Sequence, residues 1–384
     1  MSWKMVNSSF CGVLMALMVA CSVNDRPETP ADFAVHFSNA IPDAKDRAKV
    51  QESVVKLFVS QKELLRAEQV ASGITDWRKA MGLCAIAEAY ILEKNASKAV
   101  ELLKQAETVR NERIDWYTER IDYQLTRLYR MAGDQERGDF FRSTISPEMK
   151  SASLPEQVES LVATNGWRLA FELLKVVQEN PDFEVQCSVS SGFLTFAKKA
   201  LIHQEHEWCR SAVSNLLDAS LKLPLEMEAA AVKEAAALLT ESGERASAEN
   251  VVQGFADTLT QNELPAAGRL NPLINLGLAY YAIGEADSAK ATLLQALEIC
   301  PQIHSTEILV PQIPVAEAFL KTGDKPSARA VYLAAVERVE HLIPRPRFIA
   351  LTEICLSMAN QAVGPDETLW RRIREIQANL GDPR

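Results

Sequence analysis

The sequence has few residues that break helices and no excess of positive charge. Of 384 residues, 15 are glycine, 17 are proline and 7% are aromatic, while 47% are hydrophobic, so the chain can bury a large core and disorder is excluded. Lysine and arginine number 41 against 51 aspartate and glutamate, a net charge of −10. This sign is wrong for neutralising phosphates, and we predict no nucleic-acid partner.

The sequence also lacks the motifs of common catalytic and metal sites. It contains only five histidines, and neither a GxSxG nucleophile turn nor a phosphate-binding GxxxxGK occurs. His203 and His206 lie three positions apart, with carboxylates between and after them, but they do not form HExxH. Two interpretations stay open: a solvated turn between helices, which we favour, and half of a metal site or active site. We predict no enzymatic activity and no cofactor.

The cysteines show no metal or redox spacing. Apart from Cys11 and Cys21 near the N-terminus, five remain, an odd number without a CxxC pair, and most sit among apolar residues at helical spacing. We expect these to be buried free thiols: Cys84, Cys187, Cys209, Cys300 and Cys355.

The first residues have the pattern of an export signal. Val6–Ala20 carries no charge and follows Lys4, and its apolar core is shorter than the roughly 20 residues that a membrane-spanning helix needs. We therefore predict a cleaved signal peptide at residues 1–20. Residues 21–45 contain three prolines among mixed polar residues, which predicts a tether leading into the first helix.

The end of this segment resembles the lipobox of bacterial lipoproteins. The resemblance rests on the run Leu17–Cys21, in which small residues precede the cysteine, and it departs from the family pattern at Met18, where leucine is usual. It implies that Cys21 is lipidated, becomes the mature N-terminus and anchors the chain to a membrane of the bacterial envelope or periplasm. Secretion of a soluble protein, with Cys21 incidental, is the alternative.

An internal repeat is the strongest signal in the chain. Leu273, Leu276, Gly277 and Tyr280 have helical spacing, and after Gly284 a second amphipathic pattern follows at Ala289, Leu293, Ala296 and Leu297. One such helical hairpin cannot bury its apolar stripes alone and requires stacked neighbours. The frame recurs at Val315, Ala316, Phe319, Gly323 and Ala328, and at Ile86, Ala87, Tyr90 and Ala99.

These segments resemble the tetratricopeptide repeat (TPR), a helix-turn-helix unit of 34 residues. The small residues opening each second helix, with Ala212 taken for the middle repeat, give an irregular period of about 38. The resemblance implies an all-α, right-handed α-solenoid of eight to nine helical hairpins over residues 46–384, forming a continuous curved rod. Residues 146–155, polar and bracketed by prolines, are a candidate hinge.

The first helices of successive TPR hairpins line a concave groove, and the resemblance places several residues there. Arg113, Arg120, Arg127 and Arg130 share a helix face with Tyr123, where they could bind an acidic partner or be neutralised by neighbouring carboxylates, which we favour. The C-terminal part of the groove is apolar enough to hold a helix or an extended peptide, or to be covered by the chain's own last helix. Its inward-facing positions are Asn271, Ile274, Leu278 and Tyr281, followed by Val310, Ile313, Glu317 and Leu320.

Taken together, the sequence predicts a protein- or peptide-binding scaffold that is exported and membrane-anchored, with its partner in or along the groove. The TPR lipoproteins as a family imply an alternative, assistance in assembling outer-membrane or envelope machinery. An enzyme or metal protein using His203 and His206 is a remote third hypothesis.

Overall fold

The computed structural model of the chain describes residues 27–112, 117–146, 153–304, 308–364 and 366–379. These residues form nineteen α-helices and one short 3₁₀ helix, Cys300–Gln302, and they contain no strand, which confirms the all-α prediction. The helices are α1 (Pro30–Asn39), α2 (Ala44–Ser60), α3 (Leu64–Gly73), α4 (Arg78–Leu92), α5 (Ala96–Glu112), α6 (Thr118–Met131), α7 (Gln135–Thr144), α8 (Leu154–Ala163), α9 (Trp167–Gln178), α10 (Phe183–Ile202), α11 (His206–Ser220), α12 (Leu225–Glu241), α13 (Arg245–Gln261), α14 (Ala266–Ala282), α15 (Ala286–Ile299), α16 (Gln312–Lys321), α17 (Lys325–Glu340), α18 (Pro344–Asn360) and α19 (Glu367–Asn379).

Nine turns of one backbone geometry divide helices α2 to α19 into hairpins. At the turn after α6, Asp134 N–H donates to Tyr129 O (2.9 Å) and Gly133 N–H to Arg130 O (3.1 Å), the bond pair of a Schellman motif. Each turn contains one residue with φ between 50° and 91°. These turn residues are Lys62, Lys94, Gly133, Asn165, Gln204, Gly243, Gly284, Gly323 and Ala362.

The turns give the repeat a more regular period than the sequence suggests. Five of the eight steps between successive turn residues are 39 positions, and the others are 32, 32 and 41. In eight of the hairpins the fifth residue after the turn is small and buried: Ala67, Ala99, Gly138, Ala170, Cys209, Ala248, Ala289 and Ala328. In the middle repeat the small residue that opens the second helix is Cys209 and not the expected Ala212. Cysteine is suited to this position because its side chain is also small.

The hairpins stack in two layers. The first helices of the hairpins, the even-numbered α2 to α18, pack on one another in chain order across every junction except one. Within the α14–α15 hairpin, a Cβ added to Gly277 would lie 2.8 Å from the side chain of Leu293, so glycine allows these two helices to approach closely. One continuous hydrophobic core runs through the stack.

The array closes on itself instead of forming an open rod. Helix α1 packs along α18 in the way that the second helix of a hairpin packs along the first. Both α1 and α18 also pack against α2. Phe33 and Phe37 of α1 are fully buried, and the Phe33 ring lies 5.0 Å from that of Trp370 in α19. We call this junction of α1, α2, α18 and α19 the closure.

Helix α1 also corrects the tether predicted for residues 21–45, at least over Pro30–Asn39. Thr29 caps the helix through a capping box with Asp32, and Pro30 occupies the first turn, where its missing N–H costs no hydrogen bond. The apolar side chains that follow are buried at the closure, which stabilises the helix. Its proline is therefore a helix-start signal and not a sign of an extended chain.

Among the described residues, the junction with the least helix packing lies at the predicted hinge. In the described residues, no pair of helices packs extensively between α6 or α7 on one side and α8 or α9 on the other. A hydrogen bond from Tyr123 Oη to Glu156 Oε1 (3.4 Å) crosses it. Residues 147–152 lie outside the described residues, and hinge motion at this place, which we call the seam, stays a prediction.

Two further expectations concern membranes and thiols. Among the described residues, none of the helices combines the length and apolar character needed to cross a bilayer. The five cysteines of the array are free thiols, four buried and Cys187 half-buried. The signal peptide and Cys21 lie outside the described residues.

Candidate partner-binding surface

The arginine stripe of α6 is largely occupied by contacts within the chain. Arg127 donates two hydrogen bonds to the carboxylate of Glu88 in α4 (2.5 and 2.7 Å), and these bonds hold the pKa of Glu88 below its usual value. Arg130 forms an ion pair with Asp139 in α7. These contacts agree with local neutralisation, and a role of the stripe in partner binding stays a prediction.

The stripe also includes Tyr123, Arg120 and Arg113. Tyr123 makes the hydrogen bond across the seam, and Arg120 is exposed. Arg113 lies outside the described residues.

The residues predicted for the C-terminal part of the groove are also engaged in packing. Asn271 donates a hydrogen bond to Glu226 of α12 (2.5 Å), and Ile274 is buried. Leu278 is half-buried against the core, whereas Tyr281 is 44% exposed. Of this set, Tyr281 offers the most surface to a partner.

Polar pairs connect most neighbouring first helices in the same way. Each pair joins a carboxylate to a hydrogen-bond donor on a neighbouring first helix, so much of the charge on this layer is used inside the chain. Besides Glu88–Arg127, Tyr123–Glu156 and Glu226–Asn271, these pairs are Glu52–Arg78 (3.6 Å), Glu159–Lys199 (3.2 Å), Glu234–Lys198 (2.8 Å), Glu317–Ser357 (2.6 Å) and Asp46–Arg345 (2.7 Å).

An apolar cleft opens in this layer at the closure. It consists of two cavities, of 720 Å³ and 350 Å³, that share Leu309 and Glu353 as lining residues. We call the two together the closure cleft. Its apolar lining comes from three first helices and the segment before α16: Val50 of α2, Ile308, Leu309 and Val310, Ile313 and Pro314 of α16, and Ile349 and Leu356 of α18, with Ile343 and Pro346 at the start of α18.

Glu353 lies where the two cavities meet. Burial raises the pKa of its carboxyl group, and the charge of Lys49 opposes this rise. Glu353 is exposed to solvent by its accessible surface, and it lines both cavities of the cleft. Within the described part of the chain, Glu353 has no hydrogen bond or ion pair.

The histidine pair does not form a metal site in the described residues. His203 and His206 are exposed in the turn between α10 and α11, and the ring of His203 contacts that of Trp167 edge-on at 5.5 Å. In the same residues, no group of three or more potential metal ligands from histidine, cysteine, aspartate and glutamate comes together.

The sequence predicted the α16 side of the cleft but not its α2 and α18 sides. Val310, Ile313 and Glu317 follow from the repeat frame, whereas Lys49 and Arg345 come from opposite ends of the array. One sequence signal was present: Glu353 is the single charged residue between Phe348 and Ala359, a mainly apolar stretch of α18. A lone carboxylate in such a helix indicates a site where burial is incomplete.

Comparison with known proteins supports the assignment of the helical repeat. Residues 271–303, which include most of the α14–α15 hairpin, match the model of the tetratricopeptide repeat. No curated protein matches the chain. A solved structure titled "Circular tandem repeat protein with novel repeat topology and enhanced subunit contact surfaces" is 14% identical and aligns over 92% of this chain and 82% of its own, with a TM-score of 0.21.

Proposed function

We propose that this protein is a non-enzymatic scaffold that binds a segment of another protein in the closure cleft. The observation that supports the proposal is the cleft itself, an apolar surface left open where most charged side chains of the first-helix layer are already paired. Hydrophobic grooves between helices bind amphipathic or extended segments by burying apolar anchors. Tyr281 and the arginine stripe would contact the same partner at the periphery.

Site-specific photocrosslinking in the producing cells tests this proposal. A photoreactive phenylalanine analogue at Ile313 or Ile349 should give a discrete adduct with another protein. The control position is Leu294 on α15, which is 41% exposed outside the cleft. Adducts from none of the positions, or the same adducts from all three, would contradict a partner site in the cleft.

The arginine stripe is tested in the same assay. Arg120→Glu/Arg127→Glu should weaken the α4–α6 junction, because Arg127 binds Glu88 across it. If the stripe also contacts the partner, adducts at Ile349 will decrease at temperatures where the variant remains folded. Unchanged adducts would assign the stripe to the fold alone.

We also propose that the protein is exported to the bacterial cell envelope and anchored there through acyl groups on Cys21. This proposal rests on the uncharged segment Val6–Ala20 and on the lipobox-like run that ends at Cys21. Several acyl chains would anchor the protein firmly, because each buried CH₂ contributes about 0.8 kcal/mol. Metabolic labelling with a fatty acid should mark the wild type and not Cys21→Ala, and absence of label from both would exclude lipidation.

A further inference from the structure

Not every charged side chain that lines the closure cleft has a hydrogen-bond or ion-pair partner in the described part of the chain. Among the residues that the structure describes, its lining contains three carboxylates, Asp46, Glu317 and Glu353, and two cations, Lys49 and Arg345. Arg345 Nε donates to Asp46 at 2.7 Å, and Ser357 Oγ donates to Glu317 at 2.6 Å, so both of these carboxylates have partners. Glu353 is the carboxylate without one in the described part of the chain.

Lys49 is the nearest candidate partner in the cleft lining, but it does not pair with Glu353. It lies close enough for its charge to act on Glu353, yet these two described residues form no ion pair within 4.0 Å. A carboxylate in apolar surroundings loses hydration, and a cation that enters the cleft would restore the lost interaction. The walls beside Glu353 are Leu309 and Ile349, which would contact apolar groups of the same ligand.

We propose that the closure cleft selects an apolar protein segment that carries one lysine or arginine and places its positive charge against Glu353. This inference rests on the proposed function and specifies the chemistry of the partner. The apolar walls bind the flanking residues, and Glu353 accepts charge-assisted hydrogen bonds from the cation. An acidic segment would instead meet a net negative charge in the cleft and be excluded.

Binding of the purified protein to an immobilised peptide library tests this selectivity. The library contains apolar peptides of about twelve residues, enough to cross a groove between helices, with lysine, glutamine or glutamate at one fixed central position. We expect lysine peptides to bind at least about tenfold more tightly than glutamine peptides, as a charged hydrogen bond in an apolar cleft allows. Glutamate peptides should bind most weakly.

Two variants complete the test. Glu353→Gln should reduce binding of the lysine peptides to the level of the glutamine peptides and leave the glutamine peptides unchanged. The matched control is Glu298→Gln, an exposed carboxylate on α15 away from the cleft, which should retain the preference. Circular dichroism and the unchanged affinity for glutamine peptides show that Glu353→Gln is folded.

The outcomes separate the two levels of the proposal. Equal binding of lysine and glutamine peptides by the wild type, or a lysine preference that survives Glu353→Gln, would overturn cation selection and leave binding in the cleft intact. If no peptide set binds the wild type, both cation selection and the proposed function are contradicted.

Discussion

At two junctions of this array, the closure and the seam, helix packing does not follow chain order. Helices far apart in the chain pack together at the closure, whereas consecutive hairpins pack little at the seam in the described residues. At the closure, helices from the two ends of the chain bury Phe33 and Phe37 and form an apolar interface. At the seam, hairpins that follow one another in the chain pack little in the described residues and share the hydrogen bond between Tyr123 and Glu156.

The comparison indicates that adjacency in sequence alone does not decide how extensively two hairpins pack. The hairpin before the seam adds polar contacts to its apolar packing. Glu107 of α5 accepts hydrogen bonds from Tyr129 of α6 and Arg137 of α7, and Asp122 of α6 binds Arg110 of α5 (2.7 Å) and Thr144 of α7 (2.7 Å). These contacts hold α5, α6 and α7 to one another and do not reach α8.

The largest effect should follow from removing an aromatic anchor of the closure. Phe37→Ala deletes a fully buried ring and should lower the free energy of unfolding by about 3–5 kcal/mol, measured by urea denaturation. The matched control is Phe140→Ala on α7, where the ring is 52% exposed and the loss should stay below about 1 kcal/mol. Similar losses in the two variants would show that the closure is no better packed than the surface near the seam.

An intermediate effect is expected from the polar cluster beside the seam. Glu107→Gln leaves Tyr129 and Arg137 without their shared carboxylate and should cost about 1–3 kcal/mol, because Glu107 is buried. Glu136→Gln, an exposed change on α7, is the control and should have almost no effect in thermal denaturation. A neutral result for Glu107→Gln would mean that apolar packing alone holds this hairpin.

A smaller, pH-dependent effect is expected at an ordinary junction between second helices. Lys290 donates to Asp324 (2.8 Å), and this bond, with those from Ser327, lowers the pKa of Asp324 from 3.8 to about 2. Since the folded-state pKa is the lower one, the stabilisation is complete above about pH 4 and is lost as the pH falls towards 2.

Asp324→Asn keeps the helix cap on Ser327 and removes the charge. It should cost up to about 1 kcal/mol at pH 7, and the difference from the wild type should decrease steadily from about pH 4 and be mostly lost as the pH falls through about 2. A difference that persists at pH 2 would assign the effect to the cap instead of the ion pair.

The sequence predicted the repeat well where residue type and backbone geometry agree. Glycine at 133, 243, 284 and 323 marks the left-handed turn position, because glycine adopts positive φ without strain. The same geometry is occupied by Asn165, a residue type that tolerates positive φ, and by Lys62, Lys94, Gln204 and Ala362, which give no such signal. This explains why the repeat period looked irregular.

The candidate site was predicted only in part, because its walls come from distant parts of the chain. Val310 and Ile313 follow from the repeat frame, but the ion pair of Asp46 with Arg345 spans 299 residues, and no local pattern specifies it. Helix α1 did carry a local signal, the capping box of Thr29 and Asp32, which the neighbouring prolines obscured. Closure could not be predicted, since it depends on how the curvature of many hairpins adds up.

The most direct test of the closed array is a crosslink between its two ends. His36 of α1 and Gln377 of α19 approach within 3.0 Å, so His36→Cys/Gln377→Cys in a chain beginning at Pro27, with Cys187→Ser, should be joined by a short bis-maleimide within one molecule. Mass spectrometry of digested monomer should then contain a peptide that links residues 36 and 377. Absence of this peptide, or its presence only in crosslinked dimers, would contradict closure of the array by its own N-terminal helix.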